Sequence, residues 1–230
     1  MIEFKAPNVI WEIEDPIRLQ GERRRAEITT FLLKPKRDDR ILDVGCGEGY
    51  QTSYIVGHCA QFVGVDLSAE RLKQAKNRVR NVDWICASSE RLPFRPRVFD
   101  RVVCLELLEH LNEPRKTILE IDHVLKEAGT LVVSVPYRQR IIAMQCIHCG
   151  KLTPLWGHVQ SFDEQKLSSL LPGNFEIVKR VYTGTVIAAY PLFGFLPTKV
   201  WKLIDDLSKV LPGMKPSWFI SKILKRTNNH

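Results

Sequence analysis

A glycine-rich turn between two apolar segments constrains the fold of this chain more than any other feature. Residues 41–49 are Ile-Leu-Asp-Val-Gly-Cys-Gly-Glu-Gly, and residues 62–66 are Phe-Val-Gly-Val-Asp. They predict a strand that ends in a tight turn and a second strand that ends in an acid. Because glycine has no Cβ, backbone N–H groups in such a turn can approach a ligand closely. An acid at the next strand tip can accept hydrogen bonds from ribose hydroxyls. Together the two segments predict a nucleoside site.

The spacing of these glycines distinguishes between possible ligands. A dinucleotide-binding turn needs G-x-G-x-x-G, whereas this chain has G-x-G-x-G with Tyr50 in the place of the last glycine. A phosphate-binding loop would need Gly-Lys followed by Ser or Thr, and that ending is missing. Asp43, inside the first strand, would repel a diphosphate and suits a ligand with an ammonium or sulfonium group. The alternative is an ordinary strand-to-helix turn that holds no ligand.

Length and composition are those of one globular α/β domain. The chain has 230 residues, of which 44% are hydrophobic and 26% charged, and such a chain can bury one good core. Residues 1–5 show no basic segment followed by an apolar run, so no signal peptide is predicted. No stretch reaches the ~18 uncharged apolar residues of a membrane span, and the six cysteines do not suggest a disulfide framework. We expect a cytoplasmic protein without a membrane span.

The net charge of +8 is concentrated in two segments. These are residues 18–40, which include Arg23-Arg24-Arg25, and residues 199–226. Such clusters can attract nucleic acid, anionic lipid or an acidic small substrate. Solvated helix faces are the simpler interpretation and the one we favour, because no RNA-binding signature with interleaved aromatic residues accompanies the clusters.

Strand and helix patterns alternate along the chain. Asp15-Pro16 predicts the start of a helix with an apolar stripe of Ile28, Phe31 and Leu32. Ser161 and Glu164 form a capping box for a later helix. Strands are predicted at residues 41–44, 62–66, 83–87, 101–105, 130–135, 175–182 and 218–224, and a late helix at residues 198–210. Because helices separate the first strands, we expect these strands to pair in parallel.

Four segments, in order, resemble the motifs of the class I S-adenosylmethionine-dependent methyltransferases. Residues 43–49 resemble the first motif of that family, and residues 65–68 resemble the end of its second strand. Residues 92–103 resemble the passage into the fourth strand, and residues 106–111 the segment that follows it. The resemblance covers residues 40–136 and concerns the cofactor, S-adenosylmethionine, rather than the methyl acceptor.

The resemblance implies a Rossmann-like, doubly wound α/β fold with helices on both faces. It implies a seven-stranded, mostly parallel sheet in the order 3-2-1-4-5-7-6, in which the last strand is antiparallel. We expect one domain over residues 1–230. Its predicted parts are an N-terminal helical cover (1–39), a cofactor-binding core (40–136), a loop with a Cys-x-x-Cys motif (137–160) and an insert between the last two strands (183–217).

The resemblance also assigns roles to residues at the strand ends. Gly45 and Gly47 would line the methionine portion of the cofactor with Asp43 below them, and Asp66 would take the ribose hydroxyls. Ser88 stands where the family often has an acid that accepts from the adenine, so it would give a weaker hydrogen bond. The complete predicted cofactor set is Asp43, Gly45, Gly47, Gly49, Asp66, Leu67, Ser88, Leu105 and Glu106.

No catalytic side chain is required if the acceptor is simply held close to the methyl group. If the acceptor is a hydroxyl, a base helps to remove its proton. The candidates are Glu106, Glu109, His110, Tyr137 and His158. His110 is also suited to a structural hydrogen bond at a helix–loop junction, and the sequence does not select one base.

Cys146 and Cys149 differ from the other four cysteines because they form a Cys-x-x-Cys-Gly segment. This segment resembles a zinc knuckle, and we expect zinc ligation by Cys146, Cys149 and His158. A tetrahedral site needs a fourth ligand; His148 is awkwardly placed, and Pro154 stands where a further histidine is expected. The alternatives are two reduced cysteines in a loop or, less favoured, a redox pair.

We expect the methyl acceptor to be a small molecule. The accessory segments are loops on one domain, and apolar residues of the insert (Tyr190, Leu192, Phe193, Phe195 and Leu196) can shape a pocket or simply pack over the sheet. The alternatives are an RNA methyltransferase, a catalytically silent cofactor-binding regulator, and a nicotinamide-dependent enzyme, which the glycine spacing disfavours. The sequence fixes neither the acceptor atom nor the oligomeric state.

Overall fold

The computed structural model describes residues 16–185, 193 and 195–227. The strands are β1 (Arg40–Val44), β2 (Gln61–Asp66), β3 (Asp83–Cys86), β4 (Phe99–Leu105), β5 (Leu125–Pro136), β6 (Ala143–Gln145), β7 (Leu152–Pro154), β8 (Phe175–Thr183) and β9 (Trp218–Lys225). The α-helices are α1 (Pro16–Leu33), α2 (Thr52–Ile55), α3 (Ala69–Arg78), α4 (Pro114–Val124), α5 (Glu164–Leu170) and α6 (Thr198–Ser208). Short 3-10 turns span Val56–His58, Leu108–His110 and Leu155–Gly157.

The main sheet has seven strands in the order β3-β2-β1-β4-β5-β9-β8. Strands β1 to β5 pair in parallel, whereas β9 is antiparallel to both β5 and β8. The predicted order and the antiparallel last strand are therefore confirmed. Strands β6 and β7 form a separate two-stranded hairpin.

The core lies on both faces of this sheet, because successive side chains of a strand point to opposite faces. In β1, Leu42 and Val44 join a cluster that includes Ile118 of α4. Ile41, which points to the other face of β1, joins the opposite cluster with Leu32 of α1 and Trp201 of α6. Helices on both faces, as predicted, thus bury the two sides of the central strands.

Helix α1 departs from prediction in which side chains it buries. Ile28 and Leu32 are buried as expected, but the prediction was wrong for Phe31, which is 61% exposed. Arg24 and Arg25 are buried instead, so for these two the interpretation as a solvated face was also wrong. The reason is that the helix packs beneath the late insert and β9, whose polar groups pair with the arginines: a guanidinium nitrogen of Arg24 donates to the carbonyl oxygen of Leu196 at 2.7 Å.

Two predicted helix boundaries differ from the observed ones by two residues each. Helix α5 begins one residue after Asp163, whose carboxylate accepts from the backbone N–H of Lys166 at 2.9 Å. The predicted capping box starting at Ser161 was therefore wrong, because the side chain of Asp163, two residues later, supplies the cap. Helix α6 matches residues 198–210 except for its last two positions.

The late insert is described in part. Phe193 and Leu196 pack against the cluster beneath α1, whereas Phe195 is exposed. Tyr190 and Leu192, which were predicted to help shape a pocket, lie outside the described residues. Within the described part of the chain, no helix combines the length and the apolar character that crossing a bilayer requires.

Candidate functional site

The carboxyl ends of β1, β2 and β4 meet where the strand order reverses, between β1 and β4. Open α/β sheets bind ligands at such a reversal. The glycine turn follows β1, Asp66 ends β2, and Glu106 follows β4. The topology therefore brings the three most informative sequence features to one edge of the sheet.

Glycines 45, 47 and 49 of the turn all have positive φ, at 77°, 53° and 72°. Gly45 is enclosed: its N–H donates to the carbonyl oxygen of Val65 at 2.7 Å, and an added Cβ would lie 2.8 Å from a methyl carbon of Leu107. Gly47 is open, because an added Cβ there would meet nothing within 4 Å. Gly45 closes the turn onto the sheet, and Gly47 leaves its backbone accessible to a ligand.

Asp66 ties the end of β2 to the glycine turn. One carboxylate oxygen accepts from the N–H of Gly47 at 2.9 Å, and the other accepts from the N–H of Ser68 at 2.9 Å. The Ser68 hydroxyl in turn accepts from the N–H of Arg71, which makes it the cap of α3, as predicted. A carboxylate has about four lone-pair sites, so Asp66 retains capacity for two hydroxyl donors.

Asp43 is a buried acid directly beneath the turn. Its carboxylate accepts from the hydroxyl of Thr52 at 2.6 Å. Burial, with a smaller contribution from nearby Asp66, raises the pKa of Asp43 to about 7. A positive ligand beside this carboxyl would stabilise its charged form, whereas a diphosphate would not.

Glu106 lies beyond β4 with a positive φ of 52°. One of its carboxylate oxygens accepts from the hydroxyl of Ser134 at 2.7 Å, and the other lies 3.9 Å from a guanidinium nitrogen of Arg25. Arg25 is held over the ring of Trp218, 4.2 Å from its centroid. Burial raises the pKa of Glu106, and the attraction of Arg25 opposes that rise. Helix α1 thus supplies a positive charge to the end of β4.

Next to Glu106, three further side chains converge. Ligand atoms of Glu109, His110 and His158 all lie within 4.8 Å of one another. Nδ1 of His110 lies 3.2 Å from the carbonyl oxygen of Gly157, and Nδ1 of His158 bonds to the side-chain oxygen of Gln139. Burial, with the adjacent charge of Glu106, raises the pKa of Glu109 well above its usual range. Burial and the proximity of His110 lower the pKa of His158 to about 4. Both imidazoles are therefore neutral near pH 7, because burial lowers the pKa of His110 as well.

A cavity of about 810 Å³ opens at the opposite edge of the sheet. Its lining includes Arg40, Gln61, Asp83 and Phe99, which are the first residues of β1, β2, β3 and β4. The glycine turn and the convergent acids lie at the other ends of these strands, so we place the functional site there.

Comparison with known proteins agrees with this geometry. A methyltransferase domain family profile matches residues 42–133. An uncharacterized protein of Methanocaldococcus jannaschii is 30% identical over 202 residues, which cover 86% of this chain and 80% of that protein. The chain belongs to the class I S-adenosylmethionine-dependent methyltransferases. The ubiquinone biosynthesis O-methyltransferase of Idiomarina loihiensis is 36% identical over 100 residues, 41% of each chain. The solved S-adenosylmethionine-dependent methyltransferase of Mesorhizobium loti shares the fold, with 14% identity, a TM-score of 0.64, and coverage of 90% of this chain and 100% of that one.

Three further members of the predicted cofactor set lie at or just beyond the carboxyl ends of the strands. Leu67 follows β2 and is 75% exposed, and Leu105 is buried at the end of β4. The Ser88 hydroxyl accepts from the N–H of Glu90 at 3.2 Å, so it takes part in a local turn after β3. These positions lie at the same edge of the sheet as the glycine turn and Asp66, and their contacts with a ligand stay predictions.

Tyr137, one of the predicted base candidates, is engaged elsewhere. Its hydroxyl donates to Glu164 at 3.0 Å, and the Tyr182 hydroxyl donates to the same carboxylate oxygen at 2.6 Å. Burial and the bond to Glu164 raise the pKa of Tyr137. A phenol held as a donor to a carboxylate is a poor base at neutral pH, so this methyltransferase draws its stronger candidates from the β4 end.

The structure does not bring the three predicted zinc ligands together. Cys146 and Cys149 lie in the turn of the β6–β7 hairpin, where the N–H of Gly150 donates to the carbonyl oxygen of Cys146 at 2.8 Å. His158 lies instead beside Glu109 and His110. Backbone N–H groups of Cys149 and His148 lower the pKa of the Cys146 thiol, as suits a metal-binding turn, and zinc at this hairpin stays a prediction.

Sequence reasoning missed Arg25 and Gln139 altogether. Arg25 lies in a basic run, and nothing in the run distinguishes the two arginines that are buried, Arg24 and Arg25, from Arg23, which is not. Gln139 follows β5 and contacts the site through His158. The two acids and one histidine at residues 106–110 were the available signal, and they identified the β4 end without its partners.

Proposed function

We propose that this methyltransferase transfers a methyl group to a hydroxyl-bearing small molecule held against the end of β4. The observation that carries this proposal is the cover over that strand end. From one side, Arg25 of α1 approaches Glu106. From the other, the N–H of Val159 donates to the carbonyl oxygen of Glu109 at 2.9 Å, and His110 contacts Gly157. A strand end covered from two sides suits a compact acceptor.

The cofactor would occupy the glycine turn. We assign the methionine portion to Gly45, Gly47 and Gly49 with Asp43 beneath, and the ribose to Asp66. The open face of Gly47 and the spare lone pairs of Asp66 support this fit. Adenine contacts are assigned to Leu67 and Ser88, and the methyl-proximal positions to Leu105 and Glu106. Bound there, S-adenosylmethionine supplies an electrophilic methyl group on a sulfonium.

Two observations favour a hydroxyl as the acceptor group. The raised pKa of Glu106 brings this carboxylate closer to neutral pH, where a general base is most effective. A relative that is 36% identical over 100 residues carries a name that specifies transfer to oxygen. Because the chain spans 41% of that relative's length, only the shared part of the fold bears on the choice.

An RNA acceptor is less well supported. Arg24 and Arg25, the centre of the first basic cluster, are buried and paired with protein groups rather than presented to solvent. Phosphate binding needs exposed cations and weakens steeply with salt. The cytoplasmic location stays a prediction.

The test is incorporation of labelled methyl groups into separated acceptor pools. We expect label in a panel of catechols, phenols and hydroxylated rings, with transfer that changes little with salt. The Asp66→Ala variant is the matched blank. Label in RNA, lost on adding salt, would overturn the small-molecule acceptor. S-adenosylmethionine binding without transfer to any pool would instead indicate a silent regulatory protein.

A further inference from the structure

The cluster of Glu109, His110 and His158 has the composition of a metal site. Each residue offers one ligand atom, and all three atoms lie within 4.8 Å of one another. Two imidazole nitrogens with one carboxylate oxygen form a donor set that divalent transition metals prefer. Among the described residues this is the one group of three or more His, Cys, Asp or Glu side chains that meets this spacing.

Glu109 supplies an independent observation that points to a ligand. It is 1% exposed, and neither of its carboxylate oxygens has a hydrogen-bond partner among the described residues. Buried carboxylates are almost always hydrogen-bonded, because an unpaired buried acid is costly. A cation between Glu109 and the two histidines would supply the missing partner.

The histidines are already oriented for ligation. With Nδ1 of His110 donating to the Gly157 carbonyl and Nδ1 of His158 donating to Gln139, each ring keeps its lone pair on Nε2. Metal-binding histidines in proteins are generally fixed in this way by a second hydrogen bond. Gln139 and the Gly157 carbonyl are thus positioning groups for the two rings.

The backbone holds the two halves of the cluster in register. The N–H groups of Val159 and Gln160 both donate to the carbonyl oxygen of Glu109, at 2.9 Å and 3.2 Å. The side chain of Gln160 also donates to the carbonyl oxygen of Leu111. The loop that carries His158 is therefore fastened to the turn that carries Glu109 and His110, so little ordering is left for metal binding to supply.

We propose that Glu109, His110 and His158 bind one divalent transition-metal ion of the Zn²⁺ class. Two imidazoles favour such an ion over Mg²⁺ or Ca²⁺, which prefer oxygen ligands. Three protein ligands are the number found in zinc sites that keep an open position, whereas closed structural sites use four. The site is distinct from the β6–β7 hairpin with Cys146 and Cys149.

The open coordination position could bind the methyl acceptor, an inference that rests on the function proposed above. The site adjoins Glu106, at the strand end assigned to the methyl group. An acceptor whose hydroxyl oxygen can act as a metal ligand would be both oriented and selected there. This narrows the acceptor class to phenols, enols or vicinal diols, which bind metals through oxygen.

Cobalt is a suitable probe because its absorption spectrum reports the ligand type. The untagged full chain, freed of metal with a chelator, is titrated with Co²⁺, and binding is measured by absorption and calorimetry. We expect one equivalent at Glu109, His110 and His158, with visible ligand-field bands and no thiolate-to-cobalt charge-transfer band in the near ultraviolet; a further equivalent that carries such a band would belong to the β6–β7 hairpin. Glu109→Gln and His110→Gln should weaken binding at least tenfold, and Gln139→Leu by about tenfold through loss of ring orientation.

The Cys146→Ser/Cys149→Ser double variant is the matched control and should bind Co²⁺ as the unchanged chain does. Binding that survives Glu109→Gln but disappears in the double cysteine variant would overturn the proposal. The absence of Co²⁺ binding by the unchanged chain would overturn it equally. S-adenosylmethionine calorimetry on each variant checks folding. Because the Co²⁺ measurement needs no acceptor, a wrong acceptor class leaves it unaffected.

Discussion

The two halves of the candidate site are built in different ways. The cofactor half comes from residues 43–68, which are close in sequence, and its shape follows from glycine φ angles and two carboxylates. The acceptor half depends on contacts between distant segments: His110 bonds to Gly157, 47 positions away, and Glu106 faces Arg25 of α1. A local pattern can specify the first half, whereas the second exists only once the sheet and its covering segments have assembled.

The halves also differ in how they balance charge. Asp43 is a single buried acid with one hydroxyl partner, Thr52. In the acceptor half burial raises the pKa of Glu106 and of Glu109, the charge of Glu106 raises the pKa of Glu109 further, and Arg25 is the cation that opposes both rises. In the cofactor half, Asp43 therefore has no positive partner, within the described part of the chain, until a positively charged ligand binds. In the acceptor half, Arg25 of α1 already supplies the positive charge. The difference predicts that changes in one half leave the other largely intact.

The largest effect is expected for Asp66→Ala. The variant should bind S-adenosylmethionine roughly 500-fold more weakly, about 4 kcal/mol, because two charge-assisted hydrogen bonds contribute about 1.5–3 kcal/mol each. Asp83→Ala, which removes an exposed acid at the start of the neighbouring strand, is the control and should change affinity little. Calorimetry measures both. Equal losses in the two variants, or a parallel loss of Co²⁺ binding in Asp66→Ala, would break the separation of the halves.

A somewhat smaller effect is expected for Asp43→Asn, which should raise the free energy of unfolding. The folded pKa of Asp43, about 7, exceeds the value of 3.8 for the free group. Its contribution to stability is therefore complete below about pH 4 and is lost as pH rises through 7. At about 1.36 kcal/mol per pKa unit, the ionised Asp43 costs the fold about 4 kcal/mol at pH 8. The asparagine removes that cost but buries an NH₂ donor, at about 1 kcal/mol, so it should stabilise the fold by about 3 kcal/mol.

The same variant should bind S-adenosylmethionine more weakly, because the negative charge beneath the glycine turn is gone. Thermal unfolding at pH 5 and pH 8 provides the measurement, and the stabilisation should shrink at the lower pH. Thr52→Val, which removes the donor to Asp43 but keeps the acid, should not stabilise the fold. A gain that is the same at both pH values would show that Asp43 is not the titrating group.

The features that could be predicted from the sequence belong mainly to the cofactor half, and those that could not belong to the acceptor half. The turn at 45–49 and the parallel pairing of the first strands followed from glycine spacing and strand alternation, which are local signals, whereas the sheet order followed from the resemblance to the methyltransferase family. Cys146, Cys149 and His158 were grouped because they are near in sequence, yet the chain turns at 155–157 and places His158 beside Glu109. Arg25 was grouped with a solvated run, because only the packing of α1 under Trp218 distinguishes it. Long-range packing carries no short sequence signature.

Gly45→Ala and Gly47→Ala sharpen the comparison within the cofactor half. Both place a side chain in the left-handed region, at about 1–2 kcal/mol. Gly45→Ala should destabilise the fold by about 2 kcal/mol, since its Cβ would also collide with Leu107. Gly47→Ala should destabilise by about 1 kcal/mol, since its Cβ meets open space, but it should weaken cofactor binding about tenfold. Chemical denaturation and calorimetry together measure the pair. Equal stability losses with unchanged binding in Gly47→Ala would contradict the view that Gly47 faces the ligand.

The smallest effect concerns α5, which follows the loop that carries His158. Asp163→Ala removes the observed cap and should cost about 1 kcal/mol of unfolding free energy. Ser161→Ala, at the position expected from sequence, should cost less than about 0.5 kcal/mol. Phe162 lies in the core between these two residues, and its carbonyl oxygen accepts from the N–H of Arg138. Arg138 precedes Gln139, which bonds to His158. Loosening α5 should therefore also slightly lower Co²⁺ affinity. Urea denaturation distinguishes the two variants, and a larger loss for Ser161→Ala would restore the capping box and shift the start of α5. Such a result would mean that a local sequence pattern specifies part of the acceptor half, as it does the cofactor half.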